Sequence, residues 1–372
     1  MASKRLVSLD VFRGATIILM ILVNNPGTWR TIFPPLRHAA WHGWTITDLV
    51  FPFFLFIVGV AISFALNRAK AEDPLKPAAL RKILRRSLIL FGLGMVLAAW
   101  PFVTFEPTFG LRPSLATIRI PGVLQRIALC YLAASVLYLY TGARVRQIVL
   151  WGGLIAYHLA MILGPGSIDD PENNLAAIVD RAVLGSHLWV GTGRMWDPEG
   201  LLSTIPALST TLLGVWTGTM MRTQRAQEAH LTAQLMVIGF GVLSVGYVWD
   251  WFFPINKGLW SPSYVAFTGG MAMMVLATCF WLIDVKGYRR WTKPFVVYGV
   301  NAITVFVGSG IVGRQLGLIQ VGEQSLKTWI FETLLNSWLP EIYASLAYAI
   351  LWVIAWYAIL HVMYTKKWIL KV

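Results

Sequence analysis

Hydrophobic and polar positions follow one another along this chain in long blocks. Ten apolar stretches have rough limits 8–27, 46–66, 87–104, 121–141, 148–164, 202–221, 231–249, 262–284, 295–313 and 341–362. Several approach the roughly 20 residues a helix needs to cross a hydrocarbon core about 30 Å thick. The pattern therefore predicts about ten spanning helices in an all-α, polytopic membrane protein, organised as a single transmembrane domain over residues 1–372. The connecting segments alternate in charge. One set (Lys4 and Arg5, the run from Arg68 to Arg86, Arg144 and Arg146, Arg222 and Arg225, Lys286 to Lys293, and Lys366 to Lys371) holds 20 of the 31 Lys and Arg residues, and the opposite set holds nine. Cytoplasmic loops carry such an excess, so both termini are expected on the cytoplasmic side.

Composition supports this reading. The chain is 57% hydrophobic and 13% charged, with a mean hydropathy of +0.63. Soluble domains carry about 25% charged residues, so too little polar surface exists here to clothe a globule in water. The net charge of +14 does not point to nucleic acid, because the basic residues follow the topological alternation. Cys130 and Cys279 both fall inside apolar stretches, without metal-ligand or disulfide spacing. Asp10 and Arg13 interrupt the first apolar run, so it does not read as a cleavable signal. The absence of any Asn-x-Ser/Thr acceptor, and of a luminal domain ahead of the first span, favours a bacterial inner membrane over a glycosylating compartment.

The outward segments are not ordinary linkers. NNPGTWRTIFPPLRHAAWHGW, VGTGRMWDPEG and DWFFPINKGLW mix indole rings with amides and charges. Tryptophan gathers at any membrane interface, yet aromatic platforms beside hydrogen-bonding groups also suit sugars, whose ring faces stack while their hydroxyls pair. No internal repeat is visible. Many secondary transporters are built from two related halves, so its absence counts against a carrier.

A polar side chain inside a span costs a few kcal/mol near the bilayer centre and needs a reason. Asp10 and Arg13, three apart on one face of the first helix, read most simply as an interfacial ion pair. Asn24 and Asn25 precede Pro26 and Gly27, which is helix-stopping chemistry; an amide there is also a donor for a developing oxyanion. His38 and His42 lie four apart, flanked by Arg37, Trp41 and Trp44, and histidine is the side chain best suited to take a proton near neutral pH. Asp48 has two readings. Thr45-x-x-Asp48 ahead of an apolar run is a capping box, and the same carboxylate is a candidate partner for a histidine. Gln125 and Arg126 sit just inside the fourth stretch, and a buried guanidinium must find an acid or a ligand. Asp197, Glu199, Asn256 and Lys257 complete the outward polar set, and Asn301 lies inside the ninth stretch. No nucleophile elbow, Walker loop or zinc-type spacing occurs, which leaves acid–base chemistry centred on histidine and no metal.

These residues lie in stretches that resemble a known family. SLDVFRG with ILVN, RHAAWHGWTITDLVFPFFLFIVG, RIPGVLQRIALCY, WDPEGLLSTIPA, PINKGLWSPSYV and WTKPFVVYGVNAITVFVG, in order from residue 8 to residue 308, are similar to the membrane catalytic region of the heparan-alpha-glucosaminide N-acetyltransferase family and its bacterial relatives. The resemblance implies a membrane acetyltransferase, a homodimer, that takes acetyl-CoA from the cytoplasmic side and acetylates the amine of a glucosamine on the other face. It maps the catalytic histidine to His38 and a supporting asparagine to Asn24. His42 departs from the lysosomal enzyme and is secondary. The large luminal domain of that enzyme is not in this sequence, so the expected acceptor is glucosamine or a glucosamine-containing sugar of chitin or peptidoglycan origin.

The mechanism expected on this reading is direct transfer, with His38 as general base and Asn24 donating to the oxyanion; an acetyl-histidine intermediate is the variant. Asp10, Arg13, Trp41, Asp48, Arg126, Asp197, Glu199, Asn256, Lys257 and Asn301 are the candidates for holding the acceptor. Arg85, Arg86 and Arg290, with Arg81 and Arg289 beside them, are candidates for the phosphates of CoA, although topology alone also explains basic residues there. Two competing functions would use similar loops: an amino-sugar or N-acetylglucosamine transporter, and an O-acyltransferase acting on a cell-wall sugar.

Overall fold

The computed structural model describes residues 6–104, 109–224 and 227–370. Lys4, Arg5, Arg225 and Lys371, which enter the charge asymmetry, lie outside these residues. The long helices are α1 (Val7–Asn24), α2 (Val50–Ala65), α3 (Lys76–Ala99), α4 (Val123–Tyr140), α5 (Ala143–Leu163), α6 (Leu175–Leu184), α7 (Thr204–Thr223), α8 (Glu228–Trp249), α9 (Pro262–Cys279), α10 (Lys293–Val300), α11 (Ala302–Leu318) and α12 (Glu341–Thr365). A one-turn 3₁₀ helix, Ile46–Leu49, leads directly into α2, and a π-turn, Phe280–Val285, extends α9. The described strands form two minimal antiparallel hairpins, Val103–Thr104 with Gly110–Leu111 and Gln320–Val321 with Gln324–Ser325.

The protein is an all-α polytopic membrane protein. Helices occupy all ten expected stretches, and seven of them, α1, α2 with its leading turn, α4, α5, α8, α9 with its π-turn, and α12, are long and apolar enough to cross a bilayer. The ninth stretch is not one helix: α10 and α11 are bent by 77° at Asn301, and they make an eighth span if counted together. α3 and α7 have the length but not the apolarity. The first turns of α3 carry Lys76, Arg81, Lys82, Arg85 and Arg86. α7 is rich in threonine, and its hydroxyls return to the helix's own carbonyls, Thr217 to Leu213 at 2.9 Å and Thr219 to Val215 at 2.7 Å. Self-satisfied hydroxyls lower the hydropathy of a helix without leaving polar groups unpaired.

The chain divides into two compact units, Met1–Ala39 with Thr45–Val50 and Leu282–Val372, and Ala40–Trp44 with Phe51–Trp281. In the first unit α1 lies against α10 at backbone contact. A Cβ on Gly14 would stand 1.8 Å from the Phe295 carbonyl oxygen, and one on Gly299 would stand 2.4 Å from that of Asp10. The N-terminus of α1 is capped from a distance: the Asp284 carboxylate accepts from Val7 N–H at 3.3 Å and Ser8 N–H at 3.1 Å, placing negative charge where the helix dipole favours it. Tyr298 Oη donates to the Val353 carbonyl of α12 at 2.6 Å.

In the second unit α7 is nearly surrounded. Gly59 of α2 faces the Thr211 carbonyl, with space for no Cβ (1.9 Å), and Gly214 of α7 faces the Phe56 carbonyl in the same way (2.0 Å). Without a hydrophobic drive between helices in lipid, small residues that let backbones touch are what holds such crossings. α8 pairs with α9 by the same device at Gly246 and Gly270. The outer faces of α5 and α8 carry exposed Ile148, Leu163, Val237 and Phe240, an apolar surface suited to lipid.

Candidate functional site

In the first unit, the chain leaves α1 at Asn24 and runs as an extended loop to the 3₁₀ turn. Asn25 ends the helix by returning its Nδ2 to the Ile21 carbonyl at 2.8 Å, and Pro26 cannot continue it. The loop is pinned to α12 at Ser345, whose carbonyl accepts from Gly27 N–H at 3.2 Å and whose hydroxyl donates to the Thr28 carbonyl at 3.1 Å. It encloses an apolar hollow lined by Leu22, Val23, Pro26, Phe33, Leu36 and Leu346. Asn24 itself is exposed at the last position of α1.

His38 and Asp48 meet at the far end of this loop. His38 Nδ1 lies 2.6 Å from Asp48 Oδ1. The second carboxylate oxygen accepts from Ala39 N–H and Thr45 N–H, both at 3.0 Å. The Thr45 hydroxyl, 3.2 Å from that oxygen, donates to the Arg37 carbonyl at 2.5 Å. The two readings of Asp48 are therefore both present: it completes the capping box of the turn, and it orients a histidine. Asp48 is 1% exposed, whereas the His38 side chain is 49% exposed, so the carboxylate is buried structure and the imidazole is presented. Because the carboxylate accepts, Nδ1 carries the proton and Nε2 is the basic nitrogen. This is the buried acid, oriented imidazole arrangement of histidine general bases.

His42, in the second unit, has the opposite tautomer. Its Nε2 lies 2.9 Å from Asp169 Oδ1, and its Nδ1 lies 3.4 Å from Asn256 Nδ2. The orientation of the Asn256 amide follows from its other contact, since Oδ1 accepts from Leu259 N–H at 2.8 Å. The amide nitrogen therefore faces the imidazole, Nδ1 accepts, and the His42 proton sits on Nε2 toward Asp169. Trp41 donates from Nε1 to the Ile168 carbonyl at 3.0 Å and packs edge-on against Trp196, ring centroids 5.1 Å apart. A tryptophan pair beside a histidine and an acid is chemistry a sugar ring can use.

A buried polar cluster lies elsewhere in the second unit. Arg119 grips Asp197 with two nitrogens, Nε to Oδ2 at 2.8 Å and Nη2 to Oδ1 at 2.5 Å, and pairs Glu199 as well. Burial works against the Arg119 charge, but Asp197 and Glu199 outweigh it and hold the guanidinium above its ordinary range. Burial likewise opposes the Glu199 carboxylate, and Arg119, Arg126 and Lys257 bring it below the usual value. Asp180 is different. Burial pushes it up to about 6, against the Leu201 N–H that it accepts at 2.8 Å. A raised acid stabilises the fold below the ordinary carboxylate value and loses that contribution as pH rises through about 6. Asp180→Asn is expected to remove this fall and to melt higher than the parent at pH 7; a lower melting temperature at pH 7, measured in detergent, would contradict the assignment.

Arg126 and Lys257 belong to this cluster, since both act on Glu199; the other candidates are dispersed. Asp10 and Arg13 form the interfacial ion pair at 3.5 Å, and Arg13 Nη1 also reaches the Gly299 carbonyl at 3.5 Å. Asn301 is buried at the α10–α11 break and donates from Nδ2 to the Trp368 carbonyl at 3.3 Å. Arg126 is buried in α4, and Lys257 is half-buried in the loop before α9. Arg85 and Arg86 are exposed on α3, with Arg86 over the Tyr131 ring at 4.9 Å. Arg290 is exposed in the segment after α9, beside Arg289, which pairs Asp284 at 3.6 Å. Exposed guanidinia of this kind can pair phosphate oxygens bidentately. Among the described residues no group of three or more His, Cys, Asp and Glu side chains is placed to hold a metal ion.

Sequence reasoning missed Arg119, Asp169 and Asp180. Arg119 was in plain view as the first residue of RIPGVLQR but reads there as one more outward cation. Asp169 lies 127 residues from its partner His42, and no local pattern could join them.

The comparisons agree with the motifs. The family model for heparan-alpha-glucosaminide N-acetyltransferase, catalytic, matches residues 5–248. PINKGLWSPSYV and WTKPFVVYGVNAITVFVG lie beyond that match. The chain is 33% identical over 360 residues to the heparan-alpha-glucosaminide N-acetyltransferase of Homo sapiens, an alignment covering 82% of this chain and 52% of the human protein. It is 32% identical over 367 residues to the Mus musculus protein of the same name, with 84% and 54% covered. The chain thus spans about half the length of the curated relatives it matches. With His38 and Asp48 joined in the first unit, and WDPEG and RIPGVLQR joined through Arg119 in the second, this chain belongs to the family of heparan-alpha-glucosaminide N-acetyltransferase catalytic regions.

Proposed function

We propose that this protein is a transmembrane acetyltransferase of a bacterial inner membrane, moving the acetyl group of cytoplasmic acetyl-CoA to the amine of glucosamine, or of a glucosamine-containing sugar, on the periplasmic side. Family membership supports the reaction class. The observation that carries the mechanism is the His38–Asp48 pair: a presented imidazole whose Nδ1 is held at 2.6 Å by a buried, fully hydrogen-bonded carboxylate.

In the proposed step the neutral amine attacks the thioester carbonyl. His38 Nε2 takes the amine proton, and Asn24 donates to the tetrahedral oxyanion. The carbon–sulfur bond then breaks, and the imidazolium returns the proton to the departing thiolate, giving the N-acetyl sugar and free CoA. General bases contribute roughly 10²- to 10⁴-fold and an oxyanion donor about 10²- to 10³-fold. Arg85, Arg86 and Arg290 are assigned to the CoA phosphates. Trp41, Asp197, Glu199, Asn256, Lys257, Asn301, Asp10 and Arg13 are assigned to the acceptor and its surroundings. The protein is proposed to work as a homodimer.

A sided assay tests this reading. In proteoliposomes, N-acetylglucosamine is expected only when acetyl-CoA is supplied on the face of the N-terminus and glucosamine on the other. Accumulation of unmodified glucosamine without an acetyl donor would mean carriage instead.

A further inference from the structure

Arg126 is buried, 1% exposed, one turn into α4. Its Nη2 donates to the Gly200 carbonyl at 2.9 Å and to the Ser203 hydroxyl at 2.5 Å. Its guanidinium lies over the Trp260 ring, 5.1 Å from the centroid. Trp260 is itself fully buried and holds a left-handed backbone, φ 52°, a rare state for a bulky residue and one that surrounding structure must impose. Its Nε1 donates to Thr210 Oγ1 at 3.1 Å, and Phe51 and Tyr264 pack edge-on against it. One nitrogen and one face of the guanidinium are thus fixed, while Nε and Nη1 have no hydrogen-bond partner among the described residues. A guanidinium carries five N–H donors, so three remain, and a buried donor left unsatisfied is costly.

Charge decides what kind of acceptor they await. Glu199 feels Arg119, Arg126 and Lys257, and Asp180 feels Arg126 and Asp197. Arg126 thus already has Glu199, Asp197 and Asp180 as compensating carboxylates. A sulfate, phosphate or carboxylate brought to Arg126 would add an uncompensated buried charge beside three acids, which is costly. A neutral oxygen satisfies the donors without that cost. We propose that the Nε and Nη1 side of Arg126 is a binding site for a neutral oxygen acceptor of a substrate, an amide carbonyl or a sugar hydroxyl, and that it turns anionic groups away. The inference rests on the proposed function only in the choice of substrates. The donor's pantetheine arm offers amide carbonyls, and the acceptor offers hydroxyls.

Arg126→Lys tests it, because it keeps the charge balance and withdraws the directional donors. Thermal-shift titrations of the detergent-purified protein with pantetheine, acetyl-CoA, glucosamine, N-acetylglucosamine, sodium acetate and sodium sulfate give affinities without needing turnover. A folded Arg126→Lys protein is expected to lose about tenfold or more in affinity, for pantetheine and acetyl-CoA together if the amides dock there, or for the two sugars if the hydroxyls do. If that variant does not fold, Ser203→Ala, which removes one anchor of the guanidinium, is expected to weaken the same probes. Unchanged affinity for all four neutral-oxygen probes, or saturable stabilisation by acetate or sulfate that requires Arg126, would overturn the inference. Arg126-dependent binding in a protein that transfers no acetyl group would leave this site standing and remove the proposed function.

Discussion

Asp48→Asn is expected to lower acetyl transfer by about 10²-fold or more, approaching His38→Ala, while the protein stays folded. The reason is the way the Asp48 oxygens are divided. Oδ2 accepts two backbone N–H groups, from Ala39 and Thr45, at 3.0 Å. An asparagine would have to place its carbonyl oxygen there, because two donors cannot face an amide NH₂. Its Nδ2 would then point at His38 Nδ1, which must accept, so the imidazole proton would move to Nε2. The variant keeps the capping box and the shape of the loop but presents a nitrogen that already holds a proton. The loss should fall on kcat, with KM for acetyl-CoA little changed, measured by CoA release. A variant that retains full kcat would show that the 2.6 Å contact is a structural cap and no more.

Gly214→Val is expected to have the largest effect on folding. In α7 the Cβ of residue 214 would lie 2.0 Å from the Phe56 carbonyl oxygen, and the listener on the other helix is backbone, which cannot rotate away. Gly59 meets the Thr211 carbonyl reciprocally at 1.9 Å, and Gly218 meets Ser63 Oγ and the Val60 carbonyl at 2.3 Å and 2.7 Å. Relief requires the two helices to part along their whole crossing, undoing the burial of Phe56, Val60, Leu213 and Val215. Overpacking of a tight core costs about 1–3 kcal/mol where side chains can yield, and this site should exceed that range. The expected result is loss of the monodisperse peak in fluorescence size-exclusion, or a melting temperature well below the parent's. Gly92→Val, where an added Cβ meets nothing within 4 Å, is the control, and equal behaviour of the two variants would contradict the packing argument.

Much of the fold was legible because bilayer crossing writes itself into composition. Every expected apolar stretch holds a helix, and the stop at Asn24 followed from Asn-Asn-Pro-Gly. What hydropathy hides is helix that continues into polar sequence. α3 begins at Lys76, eleven residues ahead of its apolar stretch, because Lys, Arg and Leu are good helix formers and the charged turns need not lie in lipid. The break at Asn301 was also hidden, since Gly-Val-Asn-Ala carries no proline and reads as continuous apolar helix. In the site, the capping box at Thr45 and Asp48 was visible as a local pattern. The second use of Asp48 depends on the 3₁₀ turn bringing it back to His38, which only the folded loop supplies. The same holds for Asp180, unremarkable in a short amphipathic helix until Gly200 and Leu201 close over it.

The distinction between the two histidines is likewise a product of the fold. Four residues apart in sequence, they look equivalent. Asp48 fixes the proton of His38 on Nδ1, and Asn256 fixes that of His42 on Nε2, so the two imidazoles carry opposite tautomers.

The most direct measurement of the central claim is release of free CoA by the purified protein in detergent, with acetyl-CoA and glucosamine, beside His38→Ala. CoA release that requires glucosamine in the parent, and that falls to background in His38→Ala while the variant elutes and melts as folded protein, is the predicted result. Turnover that survives His38→Ala would contradict the account.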